Sequence, residues 1–256
     1  MSEADPAAAA VAEEDAEAFL GLPFSRLGLA TATAAVCHAA QGTNWRYVVT
    51  PNAAHLARLD GRDPVLLRIY TQAAFCFLDS RVIALAARAV GRRPPPVVPG
   101  SDLVARLFAE AIGPDTPLCV IGGTPEAVTA VRLRFGLRQV EHMNPPFGFW
   151  RDPEELTRVA TFVVTSQADY SFLCVGSPQQ EILADRIRAL GGARGVGLCV
   201  GASLDFLTGA QKRAPRLVRR LALEWAYRFA QEPRRLARRY MVESPRGVML
   251  LLRPGR

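Results

Sequence analysis

Short apolar runs alternate with amphipathic stretches through the middle of the chain, and the alternation is regular enough to predict elements. "WRYVVTPN" reads as a strand that Pro51 and Asn52 stop, and "AAHLARL" opens a helix behind it. "AAFCFLDS" is a second apolar strand ending at Asp79 and Ser80. "RRPPPVVPGS" carries four prolines, which remove backbone donors and fix φ, so it is a loop. It delivers the chain to "SDLVARLFAEAIG", where Ser101 or Asp102 is placed to cap a helix with Leu103, Leu107 and Ile112 on one side. "PLCVIGG" is a buried strand, followed by the helix "TPEAVTAVRLRFG" with Pro125 near its start and Gly136 near its end. "TFVVTSQADYSFLCVGSPQQ" holds a helix or turn and then the strand "YSFLCVG". "QQEILADRIRALGG" is a helix stopped by Gly191 and Gly192, and "GVGLCVGASLDFLTG" contains one more strand. Strand, glycine-containing loop and helix recur in order, which predicts an α/β fold with a mainly parallel sheet and flanking helices.

The two ends break this rhythm. Residues 1–20 are Ala-rich and acidic, with no basic residue, and the stretch to about Glu17 is expected to be a frayed tail or a short helix. A secretory signal needs a basic start and an apolar middle, which this segment lacks. No apolar run is long enough to span a bilayer, so the expected location is the cytoplasm. Residues 207–256 are helical in pattern, Arg-rich and without strand signals, and are expected to be an appendage on a core spanning 21–206. That appendage carries thirteen basic residues against Glu224, Glu232 and Glu243, a net +10. Since the whole chain of 256 residues is +7, the remainder is −3, and the imbalance points to an anionic partner at the C-terminal end. Nucleic acid, a membrane surface and diphosphate groups all fit that charge.

Half the residues are hydrophobic, enough for a well-buried core. The cysteines at 37, 76, 119, 174 and 199 form no Cys-x-x-Cys pair and sit mostly in apolar runs, as buried small side chains in a reducing compartment do. His38, His55 and His142 are not at ligand spacing to any cysteine pair, so no zinc site is expected.

In a parallel sheet, ligands bind beyond the carboxyl ends of the strands. The strand ends here carry Thr50-Pro51-Asn52, Asp79-Ser80, Gly122-Gly123-Thr124-Pro125-Glu126 and Gly176-Ser177-Pro178-Gln179-Gln180-Glu181; Gly201 to Phe206 follow the last strand. The pair Gly122-Gly123 lets backbone N–H groups approach a phosphate at a helix N-terminus, although such a turn is more often plain loop geometry. Neither Gly-Lys-Ser/Thr nor Gly-x-Gly-x-x-Gly occurs, which weighs against a simple NTPase or dehydrogenase. Asp79, at the end of an apolar strand, can be a partly desolvated general base or a helix cap. Asp205 has the same two readings. Ser203 lacks the Gly-x-Ser-x-Gly surround of a hydrolase nucleophile. No Asp-x-Asp stands outside the acidic tail, so a metal held against a diphosphate is not expected, and C-terminal arginines are an alternative device. Those arginines can also be a solvated helix face or a basic amphipathic helix lying on a membrane.

Taken together, "TPNAAHL", "LDS", "PGSDL", "IGGTPE", "NPPFGF", "GSPQQE", "GASLDFLTGAQKRAP" and "LEWAYRFAQEPRRLARRY" resemble the WecG/TagA/CpsF glycosyltransferases, glycosyltransferase family 26, over nearly all of residues 45–242. One departure is Asp79-Ser80, where the family usually has Asp-Gly. The resemblance implies a Rossmann-like core and a metal-independent, inverting transferase without a cofactor. It implies a UDP-linked mannosamine derivative or hexuronic acid as donor and a polyprenyl-diphosphate-linked saccharide as acceptor. It also implies a C-terminal appendage that sits on the inner face of the cytoplasmic membrane and closes the site. By motif, Asp79 matches the proposed base, Thr50 and Asn52 match polar residues beside it, and Gln180 and Glu181 match a pocket pair. The arginines from Arg213 to Arg239, among them Arg228, Arg235 and Arg238, match those expected to meet diphosphate. Asp205 and the Gly122-Gly123 turn are further substrate-binding candidates. A nucleic-acid-binding protein is the competing reading, but the basic segment holds no recognition motif and the core would have no role. A nucleotide-sugar enzyme of another kind, such as an epimerase, would need a nicotinamide fingerprint that is absent.

Overall fold

The structure is a computed structural model that describes residues 16–60, 63–204, 207, 224–231, 233, 237 and 239–252. It is a three-layer α/β arrangement around a six-stranded parallel sheet. In chain order the elements are β1 (Ala16–Phe19), β2 (Leu22–Ser25), α1 (Leu29–Ala40), β3 (Arg46–Val49), α2 (Ala53–Leu59), α3 (Pro64–Thr71), β4 (Phe75–Cys76), α4 (Arg81–Ala89) and α5 (Gly100–Glu110). They continue with β5 (Leu118–Ile121), α6 (Pro125–Phe135), β6 (Val140–Met143), α7 (Pro153–Ser166), β7 (Tyr170–Leu173), α8 (Gln179–Leu190) and β8 (Val196–Cys199). Two described helices follow, α9 (Glu224–Gln231) and α10 (Ser244–Met249).

The large sheet runs β4-β3-β8-β7-β5-β6, with every neighbouring pair parallel. Successive strand residues face opposite layers. Val48, Phe75, Val120, Phe172 and Leu198 meet α1, α5 and α6, while Val49, Cys76, Ile121, Leu173 and Cys199 meet α2, α3, α4, α7 and α8. Burial on both faces explains why these strands read as continuous apolar runs instead of alternating ones. After β5 the chain moves outward to β6, and after β7 it moves the opposite way to β8. The order therefore reverses between β5 and β7, which opens a crevice at their carboxyl ends.

Most helices begin where the sequence places them. Asn52, Asp63, Ser80, Thr124 and Asp152 cap their helices with side-chain oxygens. The expected cap at Ser101 or Asp102 is not there: α5 starts at Gly100, with Pro99 as the capping residue and no side-chain cap. The Leu78–Val97 bridge holds the incoming chain extended, and the fixed φ of Pro99 lets the helix begin at the next residue. Asp102 instead lies in the first turn and pairs with Arg81 at 3.6 Å.

The first described residues form a hairpin, which overlaps the stretch expected to be tail or helix only at Ala16 and Glu17. β1 and β2 pair antiparallel about a Leu20-Gly21 turn in which both φ angles are positive. Phe19, Leu22 and Phe24 are buried, and Ser25 Oγ accepts the Cys76 amide at 3.3 Å. The hairpin thus begins inside the segment read as tail.

The far end of the basic segment packs into the core. Leu250 and Leu251 join the cluster formed with α2 and α4, and Gly247 lies so close to Ala53 that a Cβ would overlap the Ala53 carbonyl. Glu243 pairs with Arg58 of α2 at 3.1 Å. No helix among the described residues is long and apolar enough to cross a membrane.

Candidate active site

The carboxyl ends of β3 and β4 and the start of α5 meet at one place. Asp79, partly buried, accepts the Gly100 N–H at 3.4 Å through Oδ2. Its own amide donates to Pro51 O at 3.0 Å, which fixes its backbone to the end of β3. Gly100 is the first residue of α5, so the carboxylate sits at a helix N-terminus, where the backbone dipole suits an anion. Asp79 does not cap α4; Ser80 does, accepting the Ile83 amide at 3.2 Å. Ser80 has φ −158°, ordinary extended backbone, so no glycine is needed after the aspartate.

Thr50 and Asn52 lie beside this point, each with a structural bond. Buried Thr50 donates its hydroxyl to Cys199 O at 3.1 Å, tying the ends of β3 and β8 together. A Cβ on Gly100 would stand 3.1 Å from Thr50 Oγ1, so glycine is what lets α5 approach the strand end. Asn52 Oδ1 accepts from Ala54 and His55 at the start of α2, while His55 Nδ1 faces the Asn52 amide. The cap uses Oδ1 and leaves the amide NH₂ as the part of Asn52 that can meet a ligand.

Gly122 and Gly123 line the crevice between β5 and β7. Both have positive φ, 91° and 76°. The Gly122 amide donates to Met143 O at 2.8 Å, and His142 Nε2 lies 3.1 Å from Gly122 O, so the turn is braced from β6. A cavity of about 170 Å³ opens here, lined by Gly122, Gly123, Val128, Arg132, Cys174 and Ala202 among others. Its walls are mainly apolar with the glycine backbone at the mouth, and α6 starts just beyond it.

Gln180 and Glu181 begin α8 and are both buried. Gln180 Oε1 accepts the Gly201 amide at 2.9 Å, and its Nε2 donates to Glu181 Oε1 at 2.9 Å. Tyr70 of α3 donates to the same Glu181 oxygen at 3.0 Å, while Glu181 Oε2 is buried without a hydrogen-bond partner. Burial raises the Glu181 carboxyl above its usual range, against the opposing pull of Gln180, Ser177 and Tyr70. Burial, reinforced by Glu181, also pushes the Tyr70 phenol well above its usual range. In this arrangement Gln180 joins the loop after β7 to the turn after β8, and Glu181 holds Gln180 from behind.

The sequence reading did not single out Tyr70, Gly100 or Arg58. Gly100 was visible within "PGSDL", but Tyr70 and Arg58 act through contacts distant in sequence and carry no local signal. Arg58 donates to Ser177 O at 3.0 Å as well as pairing with Glu243, so it links the loop before Gln180 to the C-terminal segment. Asp205, Arg213, Arg235 and Arg238 lie outside the described residues, and of Arg228 only its place on α9 is described. The described residues hold no group of three or more His, Cys, Asp or Glu side chains suited to a metal ion.

The helix N-terminus against a carboxylate and the glycine-lined crevice at the reversal of strand order both lie at the carboxyl ends of the strands, where ligands bind in parallel sheets. Residues 17–256, nearly the whole chain, match the Glycosyl transferase WecG/TagA/CpsF family, and the protein therefore belongs to that family of glycosyltransferases.

Proposed function

We propose that the protein moves a mannosamine derivative or hexuronic acid from a UDP-sugar onto a polyprenyl-diphosphate-linked saccharide in the synthesis of a bacterial surface polysaccharide or exopolysaccharide. The observation that carries this reading is the Asp79 carboxylate at the N-terminus of α5, on the same rim of the sheet as the glycine-lined crevice. The nucleoside takes the apolar cavity behind Gly122 and Gly123, and the diphosphate lies across their amides at the start of α6. Asp79 takes the proton from an acceptor hydroxyl as that oxygen attacks the anomeric carbon. UDP leaves from the opposite face, so an α-linked donor gives a β-linked product. Charge developing on the leaving diphosphate needs preorganised donors, supplied by the glycine turn and by arginines of the C-terminal segment. Gln180 and Glu181 shape the wall of that same apolar cavity through Gly201, which lines it. Thr50 and Asn52 hold the acceptor side, and Asp205 with Arg213, Arg228, Arg235 and Arg238 completes the donor side.

The basic C-terminal segment places the enzyme on the inner face of the cytoplasmic membrane, where such an acceptor resides. The deciding experiment is a donor screen. UDP release is measured across a panel of UDP-sugars with a lipid-diphosphate-linked acceptor. Acceptor-dependent release with one donor class supports the reading, and the absence of acceptor-dependent release across the panel overturns it.

A further inference from the structure

We infer that the loop carrying Phe147, together with Met249 and Leu252, forms two apolar prongs that seat the protein on an anionic lipid surface with the crevice between them. This rests on the lipid-linked acceptor proposed above and names the surface contacts that reading leaves open.

The first prong stands at one end of the sheet. β6 is an edge strand, and the chain leaves its carboxyl end through Asn144, Pro145 and Pro146 to Phe147. Phe147 is 93% exposed, the highest value for any large apolar side chain described. Two consecutive prolines stiffen the approach. The ring meets the edge of Trp150 at a centroid distance of 5.8 Å, and Trp150 in turn packs edge-on against buried Phe149 at 5.9 Å. Phe147 is thus exposed to water apart from its edge contact with Trp150. The guanidinium of exposed Arg151 lies over Trp150 at 5.2 Å, next to the tip.

The second prong stands near the other end. Gly247 presses on Ala53, the first residue of α2, just past the carboxyl end of β3. Leu250 and Leu251 turn inward and are buried, which leaves Met249 and Leu252 outward at 61% and 71% exposure. Exposed Arg246 is one helical turn before Met249. β3 and β6 are four strand positions apart in the sheet order, so the two prongs flank the reversal point between β5 and β7.

Single exposed apolar residues are ordinary on protein surfaces. What sets these apart is that each is carried by a segment tied to the carboxyl end of a strand, β6 for Phe147 and β3 through Gly247 and Ala53, with an exposed arginine nearby in sequence. Apolar side chains enter the acyl boundary while guanidinium groups meet lipid phosphates, a division of labour usual at membrane interfaces. The chain also contains its own comparator. Leu133 is 80% exposed but lies near the end of α6, which starts at the crevice and runs back toward the opposite edge of the sheet.

The test is flotation of the full chain with vesicles of phosphatidylglycerol and phosphatidylcholine, without substrate, at low and high salt. Phe147→Ala should weaken partitioning about tenfold, the scale on which a phenyl ring leaves water. Met249→Ala with Leu252→Ala should weaken it similarly, Arg151→Gln should reduce its salt dependence, and Leu133→Ala should leave it unchanged. All these positions are on the surface, so circular dichroism should confirm that each variant folds. Equal losses from Leu133→Ala and Phe147→Ala would overturn the orientation. Unchanged partitioning of Phe147→Ala would overturn the prong, and a raised KM for acceptor in that variant would assign the ring to the acceptor saccharide instead. Because no substrate is present, vesicle binding can fail while the donor screen succeeds, and the reverse, so the two ideas are separable.

Discussion

Asp79 Oδ2 accepts the amide of Gly100, and this bond joins the end of β4 to the first turn of α5. The Gly100 amide thereby helps to orient the carboxylate. Asp79→Asn keeps an oxygen to accept the Gly100 amide but cannot take a proton. The expected outcome is a fall in kcat of about 10²-fold or more, the usual contribution of a general base, with donor affinity nearly unchanged. Steady-state kinetics with a donor-binding titration checks it, and a variant that folds and turns over at the wild-type rate removes Asp79 from the mechanism.

Glu181 gives a prediction about pH. Its folded-state pKa is raised by burial, so the folded protein favours the neutral carboxyl. Stability is then fully present below the unfolded pKa, about 4.3 for glutamate, and declines as pH rises through the folded value. Glu181→Gln mimics the neutral form and should lack that decline. Thermal melts from pH 5 to 8 should show the variant gaining on the wild type as pH rises. A constant difference in melting temperature over that range would mean that Glu181 does not titrate there.

The metal requirement is open to a direct measurement. The sequence offers no Asp-x-Asp outside its acidic tail and a surplus of C-terminal arginines. Transfer should therefore survive EDTA at full rate. Complete loss that Mg²⁺ or Mn²⁺ restores would replace the arginine device with a metal.

Much of the parallel sheet was legible because strands buried on both faces write themselves as apolar runs bounded by Gly, Pro and Asp. β6 was not, since its "VEHM" sequence is that of an edge strand with partly exposed side chains. The hairpin at Ala16–Ser25 was hidden for a different reason. Its turn is Leu-Gly, without the Asn or Asp that usually announces a tight turn, and Leu20 adopts positive φ against its own preference. At the site, strand-end position and motif together brought forward Asp79, Thr50, Asn52 and the Gly122 turn, but not what each side chain holds. Gln180 and Glu181 look like exposed helix-start residues in sequence, and only the packing of α3 against α8 buries them with Tyr70. The composition of the last fifty residues marks a basic appendage but not where it docks, and Gly247, Leu250 and Leu251 join its far end to α2 and α4.

That docking makes Gly247 sensitive. A Cβ there overlaps the Ala53 carbonyl, which is backbone and cannot rotate away. Gly247→Ala should cost about 1–3 kcal/mol, as overpacking does, and free residues 239–252 for proteolysis. Truncation after Pro233 also removes Leu250 and Leu251 from the core, so the shortened protein should be destabilised as well as altered in surface binding. Urea unfolding checks both, and unchanged midpoints would mean that the segment is not docked in solution.

The two glycines of the crevice separate fold from function. At Gly122 φ is 91°, and an added Cβ would lie 2.9 Å from the Cys174 carbonyl group and from Val175 Cγ1. Strain and collision with backbone act together there, so Gly122→Ala should unfold at distinctly lower denaturant. At Gly123 φ is 76°, but the nearest neighbour of a Cβ is Val128 Cγ2 at 4.0 Å. Only the left-handed backbone penalty applies, about 1–2 kcal/mol. Gly123→Ala should therefore remain folded while its methyl group stands at the mouth of the crevice, where a diphosphate would approach the amides. The expected result is a rise in donor KM that exceeds any fall in kcat, with circular dichroism unchanged. If Gly123→Ala binds and turns over donor like the wild type, the turn does not carry the diphosphate, and the glycine pair serves only the close approach of β5 and β7.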